Sequence, residues 1–138
     1  MGRILAIDYG AKRIGLAHTD EMQLIACPLD TISSKDIFDY LHHYFITENV
    51  TSVVIGEPKT LSNKPALIAG KIKIFTERLK KISKLPIYRI DERFTSKIAI
   101  SAMVEMNVKK HKRRDKSLVD KISAAIILQS YLDRKSRV

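Results

Sequence analysis

The chain opens with Arg3-Ile4-Leu5-Ala6-Ile7-Asp8-Tyr9-Gly10, a nearly continuous apolar run that stops at a carboxylate. A run that is apolar at consecutive positions, rather than at alternate ones, is typical of a strand buried on both faces. It is too short for the apolar core of a secretory signal. We therefore interpret it as the first strand of the fold, followed by a turn in which Gly10 is free to take a positive φ angle.

Two more extended segments follow closely along the chain. Residues 13–19 alternate between polar and apolar side chains, as a half-buried strand does, and residues 24–32 form a third extended segment. Pro28 lies within this third segment and favours an edge strand or a β-bulge, because proline cannot donate a hydrogen bond to a neighbouring strand. The short connections predict that the three strands form an antiparallel meander.

The remaining segments alternate between helical periodicity and short apolar runs. They are a helix over 35–48 with Ser34 as its N-cap, a strand over 52–56, a polar loop over 57–65, a helix over 66–83, a strand over 86–90, a helix capped by Thr95 or Ser96, and an apolar helix over 117–134. This order predicts an α/β fold with a five-stranded mixed sheet, in which two parallel strands follow the antiparallel meander and helices cover the faces. The length predicts a single domain, 1–138.

Acidic side chains occur where three of the predicted strands end. Asp8 directly follows the first strand, and Glu57 lies just past the fourth. Asp91 and Glu92 directly follow the fifth strand, and Asp120 lies near the start of the last helix. One such acid is usually a turn former or a helix cap, but acids at three strand ends predict a shared site, because chemistry in α/β folds collects at the carboxyl ends of the strands.

A cluster of carboxylates favours a bound cation. Carboxylates that are brought together repel one another and lose hydration unless a positive ion compensates them. Hard oxygen ligands suit Mg²⁺ or Mn²⁺. Two such ions about 3.5–4 Å apart can activate a water molecule and stabilise the leaving oxygen of a phosphodiester. The acids therefore predict metal-dependent hydrolysis of phosphodiester bonds.

The chain carries a large excess of positive charge. It has 25 Lys and Arg residues against 15 Asp and Glu residues, a formal net charge of +10 and a pI near 9.8. A surplus of this size favours an anionic partner, most often nucleic acid. The candidate contacts to phosphate are Lys12, Arg13, Arg93, Lys109, Lys110, Lys112, Arg113, Arg114 and Lys116.

The basic run, Arg13 and Arg93 each have a second interpretation. The basic run at 109–116 immediately precedes the helix that carries Asp120, so it emerges near the predicted metal site. Such a run either attracts the phosphate backbone, with strongly salt-dependent binding, or is a solvated loop. Arg13 is either a phosphate clamp or an ion-pair partner of Asp8, and Arg93 has the same two interpretations beside Asp91 and Glu92.

Several classes of protein are disfavoured. Cys27 is the only cysteine, which excludes an intrachain disulfide and a multi-cysteine zinc site and fits a reducing, cytoplasmic compartment. No apolar run approaches membrane-spanning length, so no membrane partner is predicted. Tyr9 is interpreted as an aromatic residue that lines its turn rather than one that stacks on a base. The histidines lack metal-ligand spacing and are interpreted as structural or surface residues: His18, His42, His43 and His111.

Four segments together resemble the YqgF (RuvX) family, a branch of the ribonuclease H-like superfamily. They are residues 7–17 (Ile-Asp-Tyr-Gly-Ala-Lys-Arg-Ile-Gly-Leu-Ala), 54–58 (Val-Ile-Gly-Glu-Pro), 91–96 (Asp-Glu-Arg-Phe-Thr-Ser) and 120–132 (Asp-Lys-Ile-Ser-Ala-Ala-Ile-Ile-Leu-Gln-Ser-Tyr-Leu). The motifs occur in the family's order and spacing and span nearly the whole chain. The resemblance implies a ribonuclease H-like fold and a nuclease linked in bacteria to maturation of the 5′ end of pre-16S ribosomal RNA.

The resemblance also implies which acids are catalytic and bind metal. The family's acids fall on Asp8, Glu92 and Asp120. Ala124 lies one turn beyond Asp120 and is small enough to let the last helix approach the sheet, so we expect Asp120 close to Asp8. Asp91 is kept as a reserve ligand.

Glu57 departs from the family pattern, which more usually has an apolar residue at this position. Related junction resolvases place a metal-binding acid at the end of that strand, so one interpretation makes Glu57 an extra or alternative ligand. The other interpretation, which we slightly favour, makes it an exposed acid in a mobile loop.

Other functions remain as alternatives to ribosomal RNA processing. One is a Holliday junction resolvase that acts on DNA and needs a dimer to cut two strands symmetrically. Another is a nucleic-acid-binding module without catalysis, which would be expected to lose acids that this chain keeps. RNA is favoured over DNA as the partner, and the sequence leaves the oligomeric state open. An ATP-binding protein of the actin and sugar-kinase class is disfavoured, because 138 residues hold one such domain and that class uses two.

Overall fold

The structure is a computed structural model that describes residues 2–10, 12–57, 65–91 and 116–136. The elements of these residues, in chain order, are β1 (Arg3–Asp8), β2 (Arg13–Thr19), β3 (Ala26–Ser33), α1 (Ile37–Thr47), β4 (Val50–Glu57), α2 (Pro65–Ser83), β5 (Ile87–Asp91) and α3 (Lys116–Ser136). The helix predicted after Thr95 or Ser96 lies outside the described residues.

The described strands form one mixed sheet in the order β3-β2-β1-β4-β5. The strands β1, β2 and β3 pair antiparallel as a meander, whereas β4 pairs parallel with both β1 and β5. This arrangement confirms the predicted mixed sheet. Pro28 lies on the edge strand β3, and the register with β2 shifts between Leu16 and Ala17, opposite Asp30 and Pro28. Both features predicted for Pro28 are therefore present.

The central strand β1 is buried on both faces. Its residues from Ile4 to Ile7 are 0% exposed. Leu5 and Ile7 pack in the cluster that includes residues of α1 and α2, while Ile4 and Ala6 pack with α3. Because successive strand residues point to opposite faces, an uninterrupted apolar run is required here. Burying one large aliphatic side chain stabilises a fold by about 1.5–3 kcal/mol.

The helices bury one apolar stripe each against this sheet. On α2, Ile72, Phe75 and Leu79 are buried at helical spacing, as predicted. On α3, the residues that face the sheet are Ala124, Ile127 and Leu128. No helix in the described ranges is long and apolar enough to cross a membrane.

The strand β2 is buried on both faces and is not half-buried, as its alternation predicted. Ile14 and Leu16 pack in the cluster that includes residues of α1 and α2, while Ala17 packs with α3. The helix α3 therefore covers the face of β2 that was expected to meet solvent.

Three further local predictions require correction. The N-cap of α1 is Asp36, which makes no side-chain cap hydrogen bond, and not Ser34. The strand β4 extends to Glu57, so this acid ends a strand rather than beginning a loop. No described glycine has a positive φ angle. Gly10 is needed for a different reason, since a Cβ atom there would overlap the carbonyl oxygen of Arg13.

One partly buried contact between β2 and α1 involves a histidine. His18 Nδ1 and Tyr44 Oη lie 2.8 Å apart and share a hydrogen bond. Burial, helped by the nearby charge of Arg3, lowers the pKa of His18 from its ordinary value of 6.5. Burial also raises the pKa of Tyr44, which keeps its hydroxyl protonated. The fold therefore favours a neutral His18.

We predict that protonation of His18 destabilises the protein in mild acid. The pKa of His18 is lower in the folded chain than in the unfolded chain. Its contribution to the free energy of unfolding is therefore complete above about pH 6.5, and it is lost as the pH falls through the pKa of the folded chain. The melting temperature of the wild type should fall more between about pH 8 and about pH 5 than that of His18→Gln. His43→Gln, which changes an exposed histidine, should follow the wild type. Parallel curves for all three proteins would contradict the assignment.

Candidate active site at the carboxyl end of the sheet

Three parallel strands end on acids at one end of the sheet. The last residues of β1, β4 and β5 are Asp8, Glu57 and Asp91. Ile7 pairs with Ile55, and Glu57 pairs with Asp91 across neighbouring strands. These three positions define the carboxyl end of the sheet, and their backbone arrangement is the one that the sequence predicted.

The helix α3 reaches the same place from one face of the sheet. Asp8 pairs with Gly15 of β2, and a Cβ atom on Gly15 would overlap the backbone carbonyl of Asp120. Directly opposed residues of antiparallel strands have Cα atoms about 4.5–5.5 Å apart. Asp120 therefore lies against the immediate neighbour of Asp8, which agrees with the expected approach of the last helix to the first strand.

The alternation of β1 determines which face Asp8 occupies. Ile4 and Ala6 pack against α3, so Asp8, at the next even position, lies on the same face of the strand. Asp8 and Gly15 are directly opposed on neighbouring strands, so their side-chain positions lie on the same face of the sheet. A Cβ atom on Gly15 would point at α3, which shows that this is the face covered by α3. The face is thus shared by Asp8, Gly15 and the beginning of α3.

The side chain of Asp120 is held by Arg13. Arg13 Nε donates to Asp120 Oδ2 at 2.7 Å, across 107 positions of sequence. The side chains are 42% and 24% exposed, respectively, so the pair is partly open to solvent. Of the two interpretations offered for Arg13, the structure supports the ion pair, but it assigns the pair to Asp120. A charge-assisted bond of this kind fixes the orientation of the carboxylate.

Several predicted site residues lie outside the described residues. Glu92, Arg93, Lys109, Lys110, Lys112, Arg113 and Arg114 belong to this group, as does His111. For Glu57, Asp91 and Lys116 the structure describes the backbone only. Among the side chains that the structure describes, no group of three or more His, Cys, Asp or Glu residues is arranged to hold a metal ion. Asp8 and Asp120 therefore need at least one further acid to complete a three-ligand site.

The turn between β1 and β2 supports the carboxyl end from the other face. Tyr9 packs against Phe75 with ring centroids 5.1 Å apart, so its ring lies between the turn and α2. Lys12 is exposed, and its carbonyl accepts a hydrogen bond of 3.0 Å from the backbone N–H of Ser34. Lys12 thus lies on the surface of the turn, with its side chain open to solvent.

The residue that sequence reasoning missed is Gly15. We attributed the close approach of α3 to the small residue Ala124, which is indeed buried against the sheet. At Gly15 the helix backbone comes so near that a Cβ atom would overlap the carbonyl of Asp120. A signal was present, because a glycine inside an alternating strand often marks the close approach of another backbone.

The chain matches known proteins along almost its whole length. It matches the RuvX family, described as Holliday junction resolvase, over residues 2–134. It is 48% identical over 133 residues to a protein of Christiangramia forsetii, covering 96% of this chain and 98% of the relative. It is 49% identical over 136 residues to a protein of Flavobacterium psychrophilum, covering 98% and 99%. Both relatives are named "Putative pre-16S rRNA nuclease".

Solved structures share the fold at much lower identity. Thermus thermophilus RuvC, in complex with a Holliday junction substrate, superposes with a TM-score of 0.60 at 16% identity, covering 98% of this chain and 96% of that chain. Fowlpox virus resolvase, in complex with substrate Holliday junction DNA, gives a TM-score of 0.55 at 15% identity, covering 96% and 98%. The expected ribonuclease H-like fold is therefore confirmed.

We predict that Gly15→Ala destabilises the protein. The added methyl group would overlap the carbonyl of Asp120, so α3 must move away from β2. Overpacking of this kind lowers the free energy of unfolding by about 1–3 kcal/mol, measurable by urea denaturation. Gly70→Ala is the matched control, because a Cβ there meets no described atom within 4 Å. A helical Gly→Ala change should stabilise by about 0.5–1 kcal/mol. Equal stability of Gly15→Ala and the wild type would refute the close packing.

Proposed function

Because the chain belongs to the RuvX family, we propose that it is a metal-dependent nuclease of structured nucleic acid that acts in the cytoplasm on the 5′ end of pre-16S ribosomal RNA. The name of its relatives supports this substrate, and the RuvX match supports the hydrolysis of phosphodiester bonds. The observation that carries the proposal is the contact of Asp120 with Gly15, which brings the start of α3 to the end of β1 that bears Asp8.

The residues at this place suit a hard divalent cation. Carboxylates provide the oxygen ligands that Mg²⁺ and Mn²⁺ prefer. Asp8 and Asp120 approach one another from a strand and a helix, and Glu57 and Asp91 end the adjacent strands. We propose that Asp8, Glu92 and Asp120 hold the metal, with Glu57 and Asp91 as the reserve ligands.

The chain's own residues have separate roles around such a site. Asp8 and Asp120 provide negative oxygens, and Arg13 orients Asp120 through its 2.7 Å ion pair. Arg13 also places positive charge beside the acids, which reduces their mutual repulsion. The chemistry that divalent ions supply when bound is activation of water and stabilisation of charge on the leaving oxygen.

Basic residues provide the attraction for the substrate. The net charge of +10 favours binding to the phosphate backbone. We propose that Lys12, Arg93 and the basic run at 109–116 contact phosphate groups on either side of the scissile bond. Counterions released from the backbone make such binding weaker as the salt concentration rises.

A second candidate function is the resolution of Holliday junctions. The shared fold with two resolvases in complex with junction DNA supports it. The position of Glu57 also supports it, since this acid ends β4 directly beside β1 and β5. Cleavage assays on structured RNA and on four-way DNA junctions separate the two functions, and a non-catalytic binding module would cleave neither.

We predict that Asp8→Asn abolishes cleavage without unfolding the protein. The change keeps the shape of the side chain but removes its charge, so the affinity for metal should fall while the β1–β2 pairing is kept. Cleavage of a pre-16S RNA fragment should drop by at least about 100-fold, as expected when an essential charged group is removed. Asp133→Asn, which alters an exposed acid near the far end of α3, should cleave normally. An active Asp8→Asn protein would eliminate the catalytic role of Asp8.

We also predict that Glu92, rather than Glu57, completes the metal site. Glu92→Gln should weaken Mn²⁺ binding, measured by calorimetry, and abolish cleavage to the same extent as Asp8→Asn. Glu57→Gln should leave most of the Mn²⁺ affinity and most of the cleavage. The reverse pattern, in which Glu57→Gln is inactive and Glu92→Gln is active, would assign the chain a site like that of junction resolvases.

A further inference from the structure

A groove lies at the carboxyl end of the sheet, on the face opposite α3. It is a groove of about 160 Å³ between α1 and α2, and we call it the α1–α2 groove. The residues that matter to its chemistry are Tyr9, Phe38, Lys71, Ile74, Phe75 and Arg78. Pockets that enclose drug-sized ligands have volumes of roughly 300–1,000 Å³. The α1–α2 groove is therefore large enough for one ring system but not for a whole strand.

The topology places this groove beside the proposed metal site. Tyr9 directly follows Asp8 in the chain, and the two side chains lie on opposite faces of the sheet. The strand β3 ends at Ser33, which pairs with Arg13, so α1 also begins at the carboxyl end. A polymer bound at Asp8 thus reaches the groove by passing around this end of the sheet.

The floor of the groove is aromatic. The ring of Phe75 packs against Tyr9 at 5.1 Å and against Phe38 at 5.2 Å between centroids. The guanidinium of Arg78 lies 4.0 Å above the ring of Phe38. Aromatic rings and guanidinium planes are the surfaces on which unpaired bases stack.

The rim of the groove is positively charged. Lys71 and Arg78 lie two turns apart on α2, and both are exposed. Neither forms an ion pair with any acid side chain that the structure describes. Ile74 lies between them and is 65% exposed, so it presents an apolar side chain beside the two cations. The rim thus combines apolar contact with two positive charges.

We propose that the α1–α2 groove binds one unpaired base of the substrate, with its adjacent phosphate groups held by Lys71 and Arg78. The inference rests on the proposed nuclease function and specifies its substrate class. The substrate is a nucleic acid with a single-stranded segment or end next to the cleaved bond, and not a continuous duplex. The aromatic floor and the planar guanidinium match the base of a nucleotide, and the basic rim matches its phosphate groups.

Binding can be tested without cleavage. Fluorescence anisotropy in the presence of chelator measures the affinity of the full chain for a labelled single-stranded RNA oligonucleotide and for a blunt RNA duplex. The test variant is Lys71→Gln/Arg78→Gln. The matched control is Lys73→Gln/Lys81→Gln, which removes the same charge from exposed positions of α2 outside the groove.

The test variant should bind the single strand about tenfold more weakly than the control, with little difference between the two on the duplex. Its plot of log affinity against log salt should be flatter by about 0.7 for each phosphate group of the single strand that the variant no longer neutralises. Tyr9→Leu should weaken single-strand binding by at least about fivefold without changing the salt slope, because stacking does not release counterions. If the double variant unfolds, Lys71→Gln alone replaces it, because this change alters only an exposed side chain and still removes one positive charge from the rim.

Equal affinities and equal salt slopes for the test and control variants would overturn the proposal. An equal decrease in affinity for single strand and duplex would do the same, because it would show general attraction rather than a site for an unpaired base. Failure of the nuclease function is seen separately, as the absence of metal-dependent cleavage by the wild type, and does not affect these binding measurements.

Discussion

The burial of β1 on both faces is the constraint on which the rest of the structure depends. Residues Ile4 to Ile7 are fully enclosed, with α1 and α2 on one side and α3 on the other. A strand buried in this way must lie in the middle of its sheet, so it pairs with β2 on one side and with β4 on the other. The apolar run stops at Asp8, and this is where the strand leaves the core. The same apolar run that stabilises the fold therefore places the carboxylate of Asp8 at the carboxyl end of the sheet.

Charge at that end is balanced by contacts from distant parts of the chain. Asp120 arrives on α3, and Arg13 comes from the start of β2 to form an ion pair with it. The absence of a side chain on Gly15 allows the helix backbone to come this close. Acids that lie together would otherwise destabilise the fold, and a neighbouring guanidinium or a bound cation reduces this repulsion. The ion pair of Arg13 with Asp120 thus places one positive charge at the end of the sheet where Asp8, Glu57 and Asp91 end their strands.

The two faces of the carboxyl end are suited to different parts of a substrate. The face of Asp8 and α3 carries the carboxylates of Asp8 and Asp120, while the face of Tyr9, α1 and α2 carries aromatic rings and exposed cations. Adjacent residues of one strand contribute to both, because side chains alternate across a sheet. On the two proposals made above, one face would hold the metal ions and the other an unpaired base, and the net charge of +10 would attract the phosphate backbone to both.

The sequence by itself determined the strands, their order along the chain and the acids at their ends, because these depend on patterns within a few residues. The apolar run before Asp8 and Pro28 in β3 each have a local physical cause and were interpreted correctly, whereas the alternation in β2 identified a strand but not its burial on both faces. Only the tertiary structure decided that Arg13 pairs with Asp120, that Gly15 is the point of closest approach, and that Tyr9, Phe38 and Arg78 form one groove. Those contacts join residues far apart in the chain, and their geometry depends on how helices pack on the sheet. Periodicity indicates which face of a helix is buried, but not the distance at which its backbone comes to rest.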